Sequence, residues 1–174
     1  MISTVLVEHP WLTPAALAGL VAAALLAGHL LVPRRRLTWV LVGASLLPVL
    51  ALTLVPVDRE LFATCTVQWA LPTPGRVELM ANVVLFVAPA LLVGVATRRP
   101  GLALLAGSGA SVLLEAVQAL APAIGRSCDT NDWLSNTLGA LVGAALAWVV
   151  LRRASASRTS SASHAPHGTA DQRV

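Results

Sequence analysis

Residues 76–99 read Arg76-Val-Glu-Leu-Met-Ala-Asn82-Val-Val-Leu-Phe-Val-Ala-Pro-Ala-Leu-Leu-Val-Gly-Val-Ala-Thr-Arg-Arg99, and they decide the fold. Between Leu79 and Thr97 the only strongly polar interruption is Asn82. About 20 mostly apolar residues in a helix cross a hydrocarbon core. A spanning strand would alternate in polarity over about 10 residues, and this run does not. A helix is therefore the form that satisfies its backbone inside lipid. Arg76, Glu78 and Asn82 stand at one end and Arg98 and Arg99 close the other.

Working outward, the same pattern recurs at residues 11–32, 37–57, 101–121 and 133–151. With 79–97 this predicts five transmembrane helices. The chain has 174 residues, of which 56% are hydrophobic and only 11% charged, with a mean hydropathy of +0.77. Those values exceed what a soluble domain carries. The fold class read from them is all-α, a polytopic membrane helical bundle. They leave no stretch for a separate soluble catalytic domain, so any chemistry sits on helices or short loops.

All 12 basic residues are Arg. Arg34, Arg35 and Arg36 follow the first span, Arg98 and Arg99 the third, and Arg152 and Arg153 the fifth. Short Arg-rich loops stay on the cytoplasmic side. The remaining loops hold Asp58, Glu60, Glu78, Asp129 and Asp132, so the expected topology has the N-terminus outside and the C-terminus inside. The leader has Glu8 and no Arg before the first apolar run, which reads as an uncleaved anchor and not a signal peptide. Trp11, Trp39, Trp133 and Trp148 fall at span ends, where indole rings favour the interface.

Three segments follow: residues 1–36 as an anchor helix with a basic cytoplasmic turn, 37–151 as the membrane domain, and 152–174 as a disordered cytoplasmic tail rich in Ser, Ala and Thr. His164 and His167 lie in that tail and receive no role. Pro48 and Pro89 lie inside spans and are expected to kink them. Gly139 and Gly143 form a G-x-x-x-G pair, and Gly107-Ser108-Gly109 places small residues on the fourth span; both patterns allow close helix approach. Close approach serves either packing inside the bundle or a homo-oligomer formed through Gly139 and Gly143.

The polar residues inside the apolar runs are the functional candidates, because ionisable groups within spans are expensive. In the expected topology Glu115 lies roughly 9 Å below the outer surface, from the 1.5 Å rise per residue. Gln118 shares its helix face. Asn82 lies near the outer end of the third span, and Asp132 and Asn136 near that of the fifth, so all fall in one outer layer. Arg126, Asp129 and Asp132 form an R-x-x-D-x-x-D string. Arg126 suits a phosphate or carboxylate held bidentately. Asp129 and Asp132 suit a hard cation or acid/base work. The structural alternative makes Asp132 the N-cap of the fifth helix. Glu115, Asp132 and Asp129 are the catalytic candidates; Arg126, Arg76, Asn82, Gln118 and Asn136 are the substrate-binding ones. Cys65 and Cys128 both fall in outer loops, where either a disulfide or two free thiols fit. No metal-ligand spacing, nucleotide loop or Ser–His nucleophile arrangement is present, and no cofactor or nucleic-acid partner is expected.

The string Arg76…Asn82-Val-Val-Leu-Phe86-Val-Ala-Pro89, then Glu115-Ala-Val-Gln118, then Arg126…Asp129…Asp132-Trp-Leu-Ser-Asn136-Thr-Leu-Gly139, resembles the VanZ-like family over residues 40–151. The family takes its name from a teicoplanin-resistance accessory protein. Ala88-Pro89-Ala90 departs from the proline–glycine pair the family often carries after the phenylalanine. The resemblance implies a multi-pass protein of the bacterial cytoplasmic membrane that acts on or senses an envelope lipid or lipid-linked cell-wall precursor at the outer leaflet. An effect on glycopeptide susceptibility is one implied consequence. An intramembrane hydrolase or transferase built on the Glu/Asp/Arg cluster is the second reading, and a small transporter the third.

Overall fold

The computed structural model describes residues 12–58, 63–73 and 75–163. Trp11, Glu60 and the tail residues 164–174 lie outside the described residues. Five helices form: α1 (Leu12–Leu31), α2 (Arg35–Leu54), α3 (Val77–Thr97), α4 (Pro100–Leu120) and α5 (Thr130–Ser163). Four helical segments are long and apolar enough to cross a membrane: α2, α3, α4 and the Thr130–Ser157 part of α5. Pro48 and Pro89 each sit inside a continuous helix, as the spacing requires.

Short connections fix the order of the bundle. Arg98, at φ 57°, ends α3 in the left-handed region, and Pro100 opens α4 with its φ already set for a helix. The Thr97 hydroxyl donates to Val93 O and accepts from the Arg99 N–H, so only Arg98 and Arg99 join the two helices. Between α1 and α2, the fully buried Thr38 hydroxyl donates to the carbonyls of Leu31 and Arg34. These bonds satisfy groups that a helix end leaves open.

α2 and α4 run toward one end of the bundle, and α3 and α5 run away from it. That end carries a two-residue parallel pairing of β1 (Cys65–Thr66) with β2 (Cys128–Asp129). Every described Asp and Glu lies toward this cysteine end, while Arg34–Arg36, Arg98–Arg99 and Arg152–Arg153 lie toward the other. The charge segregation read from the sequence is thus a segregation between the two ends of one bundle.

The most extensive packing is between α3 and α5, which run parallel. A Cβ on Gly139 would collide with Val83 O and lie 3.0 Å from Phe86 Cβ. One on Gly143 would collide with Val87 O and lie 2.8 Å from Ala90 Cβ. The G-x-x-x-G face is therefore used inside the chain, against α3. On α4, Gly107 packs against Ala140 and Ser108 hydrogen-bonds Thr137 at 3.0 Å, whereas Gly109 meets nothing within 4 Å. Two buried clusters complete the core: Leu31, Leu91, Val95, Ala147 and Val150 toward the arginine end, and Val49, Phe86 and Leu114 nearer the cysteine end.

Two expectations are corrected. The segment after Leu151 was expected to be unstructured, yet α5 continues to Ser163. Extending an existing helix needs no new nucleus, and the Arg, Ala, Ser and Thr residues that follow include no Pro or Gly before Pro166. The first helix also takes a different course from the expected one. Leu31 clusters with Ala147 and Val150, Gly28 lies against Val150, and Ala22 shares a cleft with Ser157. Rising numbers on α1 meet falling numbers on α5, so α1 runs antiparallel to the far part of α5. The topology expected from the sequence has it run instead from the cysteine end toward the arginine end, parallel to α5.

Replacing Gly139 or Gly143 by Ala is expected to lower stability by about 1–3 kcal/mol through overpacking. Gly109→Ala, with open space at its Cβ position, is expected to be neutral or slightly stabilising. Thermal unfolding of the purified protein in detergent checks both.

Candidate functional site

At the cysteine end the polar residues of the spans meet. Asn82 on α3 donates through Nδ2 to Asp132 Oδ1 on α5 at 2.7 Å. Gln118 on α4, 5% exposed, donates through Nε2 to Thr53 O near the end of α2 at 2.9 Å. Asn136 on α5, 3% exposed, donates through Nδ2 to the buried Ser111 hydroxyl on α4 at 2.9 Å. These bonds group the polar residues of α3, α4 and α5 at one end of the bundle, and α2 contributes to the group as well. That contribution comes from a main-chain carbonyl, which has no signature in sequence.

The loops that cover this layer are held by main-chain and side-chain bonds together. Cys65 and Cys128 form a disulfide, with Cα atoms 4.5 Å apart in the register that pairs them in β1 and β2. The Cys128 N–H donates to Thr64 O, and the Val57 N–H donates to Ile124 O, both at 3.0 Å. Gln68 and Ala70 continue the seam: the Gln68 N–H donates to Thr130 Oγ1, Thr130 Oγ1 donates to Gln68 O, and the Ala70 N–H donates to Asn131 Oδ1. Trp69 and Trp133 meet edge to face at 6.2 Å between ring centroids. Next to Arg126, Gly125 has φ 71°, and a Cβ there would collide with Val57 O, so the turn needs glycine on both counts.

The two aspartates divide the roles that sequence left open. Asp129, directly before α5, accepts the Asn131 N–H on Oδ1 at 2.8 Å and so caps the helix. Its Oδ2 accepts from Gln68 Nε2 at 3.2 Å. Asp132, for which the sequence offered capping as the structural alternative, lies in the first turn and bonds Asn82 instead. Glu115 accepts the Asp129 backbone N–H on Oε2 at 2.7 Å. A glutamate inside an apolar helix thereby anchors the loop that carries Asp129, a role that charge and spacing did not reveal.

A cleft of about 650 Å³ opens among these elements. Leu52, Val57 and Leu85 give it apolar walls, and Glu78, Arg126, Asp129 and Asp132 give it ionic ones. Asn82 and Gln118 also line it. Arg126 Nε and Gln118 Oε1 are buried without a hydrogen-bond partner among the described residues. Arg76, Glu115 and Asn136 are not among the lining residues. Arg76 is exposed at the N-cap of α3, Glu115 is turned to the Asp129 backbone, and Asn136 is turned to Ser111. Glu78, which leads α3 with Arg76 and Asn82 but is not among the catalytic or substrate-binding candidates, lines the cleft. Among the described residues no three His, Cys, Asp or Glu side chains are grouped closely enough to hold a metal ion.

A cleft lined by apolar side chains together with three carboxylates and one guanidinium can take an amphiphile. Arg126 would meet an anionic oxygen, and the carboxylates would accept hydrogen bonds from hydroxyl or ammonium groups.

Replacing Glu115 by Gln keeps an acceptor oxygen for the Asp129 N–H and is expected to preserve folding. Glu115→Leu leaves that N–H unpaired and is expected to cost about 1–3 kcal/mol, read as a lower unfolding midpoint. A Cys65→Ser, Cys128→Ser double variant loses a bridge across a sequence separation of 63 residues. On a chain-entropy estimate it is expected to lose about 4 kcal/mol. The unfolding midpoint with and without reductant checks this, since reductant should lower it only in the parent protein.

The family profile described as VanZ/LLP1 matches residues 19–152. The match starts inside α1, earlier than the resemblance seen from residue 40. No curated protein and no solved structure matches the chain.

Proposed function

The chain belongs to the VanZ/LLP1 family, and from that premise we propose that it binds the headgroup of an envelope lipid or lipid-linked cell-wall precursor at the outer leaflet of the bacterial cytoplasmic membrane. Its multi-pass membrane character rests on the four long apolar helices together with the family. The observation that carries the proposal is that the cleft is lined both by apolar side chains, Leu52, Val57 and Leu85, and by ionic ones, Glu78, Arg126, Asp129 and Asp132. A lipid combines the same two characters in its chain and its headgroup.

Two features support the outer leaflet. The arginine clusters occupy the end opposite the cleft, and Arg-rich short loops stay in the cytoplasm. The disulfide lies at the cleft end, and disulfides persist outside the cytoplasm. Binding is favoured over hydrolysis or group transfer by the bonding around Glu115. Its Oε2 holds the Asp129 backbone, and the residue does not line the cleft, so the cluster offers its acids to a ligand unevenly. Altered teicoplanin susceptibility would follow if the bound lipid is a cell-wall precursor.

The test compares lipids co-purified with the parent protein, Arg126→Ala and Asp132→Asn, identified by mass spectrometry after expression in bacteria lacking the gene. Arg126→Ala is expected to retain at least about tenfold less of the bound lipid, given about 1.5–3 kcal/mol for a charge-assisted hydrogen bond. The lipid should leave the parent protein chemically unchanged. Conversion of the lipid by the parent but not by Asp132→Asn would establish the enzymatic reading instead. Equal lipid retention in all three proteins would rule out the cleft as the site.

A further inference from the structure

We propose that a second cleft, between α1 and α5 at the arginine end, binds an anionic phospholipid with its headgroup on Arg153 and His29. This inference is independent of what occupies the cysteine-end cleft. It starts from a helix crossing. α1 and α5 touch where Gly28 faces Val150; a Cβ on Gly28 would lie 2.9 Å from Val150 Cγ2. Past that contact a cleft of about 710 Å³ opens between the two helices, with Ala22 and Ala156 among its lining residues.

Its walls are apolar at Leu25, Leu26 and Val150, and Leu26 is 63% exposed. The polar lining includes His29 and Arg153. Every described Asp and Glu belongs to the other end of the bundle. The charged groups described around this cleft are therefore arginines: Arg153 in its wall, Arg152 beside it, and Arg34–Arg36 just beyond the end of α1. Basic pockets between membrane helices suit anionic headgroups.

Depth points the same way. Trp148 is 52% exposed, with the Arg152 guanidinium over its ring at 5.2 Å from the centroid. An exposed tryptophan beside arginines marks the headgroup layer. Arg153 follows directly, so its guanidinium sits at the level of lipid phosphates. Val150 lies about one turn to the membrane side of Arg153, and Leu25 packs against the cluster that contains it, so an acyl chain leaving the headgroup meets an apolar surface that a free phosphate would not use. A membrane lipid accounts for both halves of the cleft.

Native mass spectrometry of the full-length protein in detergent, titrated with phosphatidylglycerol and in parallel with phosphatidylcholine, tests the proposal. Phosphatidylglycerol should bind in preference. Arg153→Ala should weaken it roughly fivefold, the effect of one basic group near a membrane surface. Ala156→Trp, at an exposed position, fills the cleft without changing charge and should reduce binding at least as much. Arg98→Ala with Arg99→Ala removes two charges from the same end outside the cleft and should have the smaller effect. Undiminished binding in Ala156→Trp, equal binding of the two lipids, or a larger loss in the Arg98/Arg99 variant than in Arg153→Ala would overturn the proposal. So would binding of glycerol phosphate as tight as that of phosphatidylglycerol, since the apolar surface would then contribute nothing.

Discussion

Gly139 and Gly143 let the backbone of α5 lie directly on the carbonyl side of Val83 and Val87 in α3, and much of the polar chemistry follows from that approach. In lipid, association of helices gains little from the hydrophobic effect and depends on close packing and interhelical hydrogen bonds. Once the two backbones are this close, Asn82 and Asp132 can bridge the helices near their entry at 2.7 Å. α4 then packs against the same pair through Gly107 and Ser108, which brings Ser111 to Asn136. Small residues set the spacing, and the polar groups near the cysteine end depend on it.

Much of this arrangement is legible in the chain because depth along a helix is readable from sequence. A run of apolar residues fixes where a span begins and ends, and arginine clusters group those ends. Asn82, Gln118, Asp132 and Asn136 therefore fall into one layer on the sequence alone. Rotation about the helix axis and the use of main-chain groups are much less legible. Glu115 serves a backbone N–H from a loop 14 residues away, and Gln118 serves a carbonyl of Thr53. Neither partner has a side-chain identity to notice. The exchange of roles between Asp129 and Asp132 depends on a three-residue offset in where α5 begins, and boundaries are where sequence patterns are least sharp.

The course of α1 illustrates a second limit. Its composition matches that of a span, and its own residues do not encode which helix it packs against. The decisive partners are on the far part of α5, where Val150 accepts Gly28 and the helix continues beyond the expected boundary. An apolar helix and an Ala- and Arg-rich extension each look incomplete alone. Together they form a pair of packed helices with a cleft between them.

The disulfide has a consequence for the order in which the cysteine end can be assembled. Because Cys65 precedes α3 and Cys128 follows α4, the bridge closes a covalent ring that contains both helices. α2 and α5 leave that ring from its two adjoining corners. Once the ring is closed, the α3–α4 hairpin can no longer be threaded or withdrawn as a free end, and the residues entering α5 are tethered to those leaving α2. The mouth of the cleft is thus bounded on one side by bonds that cannot fray. Opening it would require bending the ring around Arg126 and Ser127, not pulling its two edges apart.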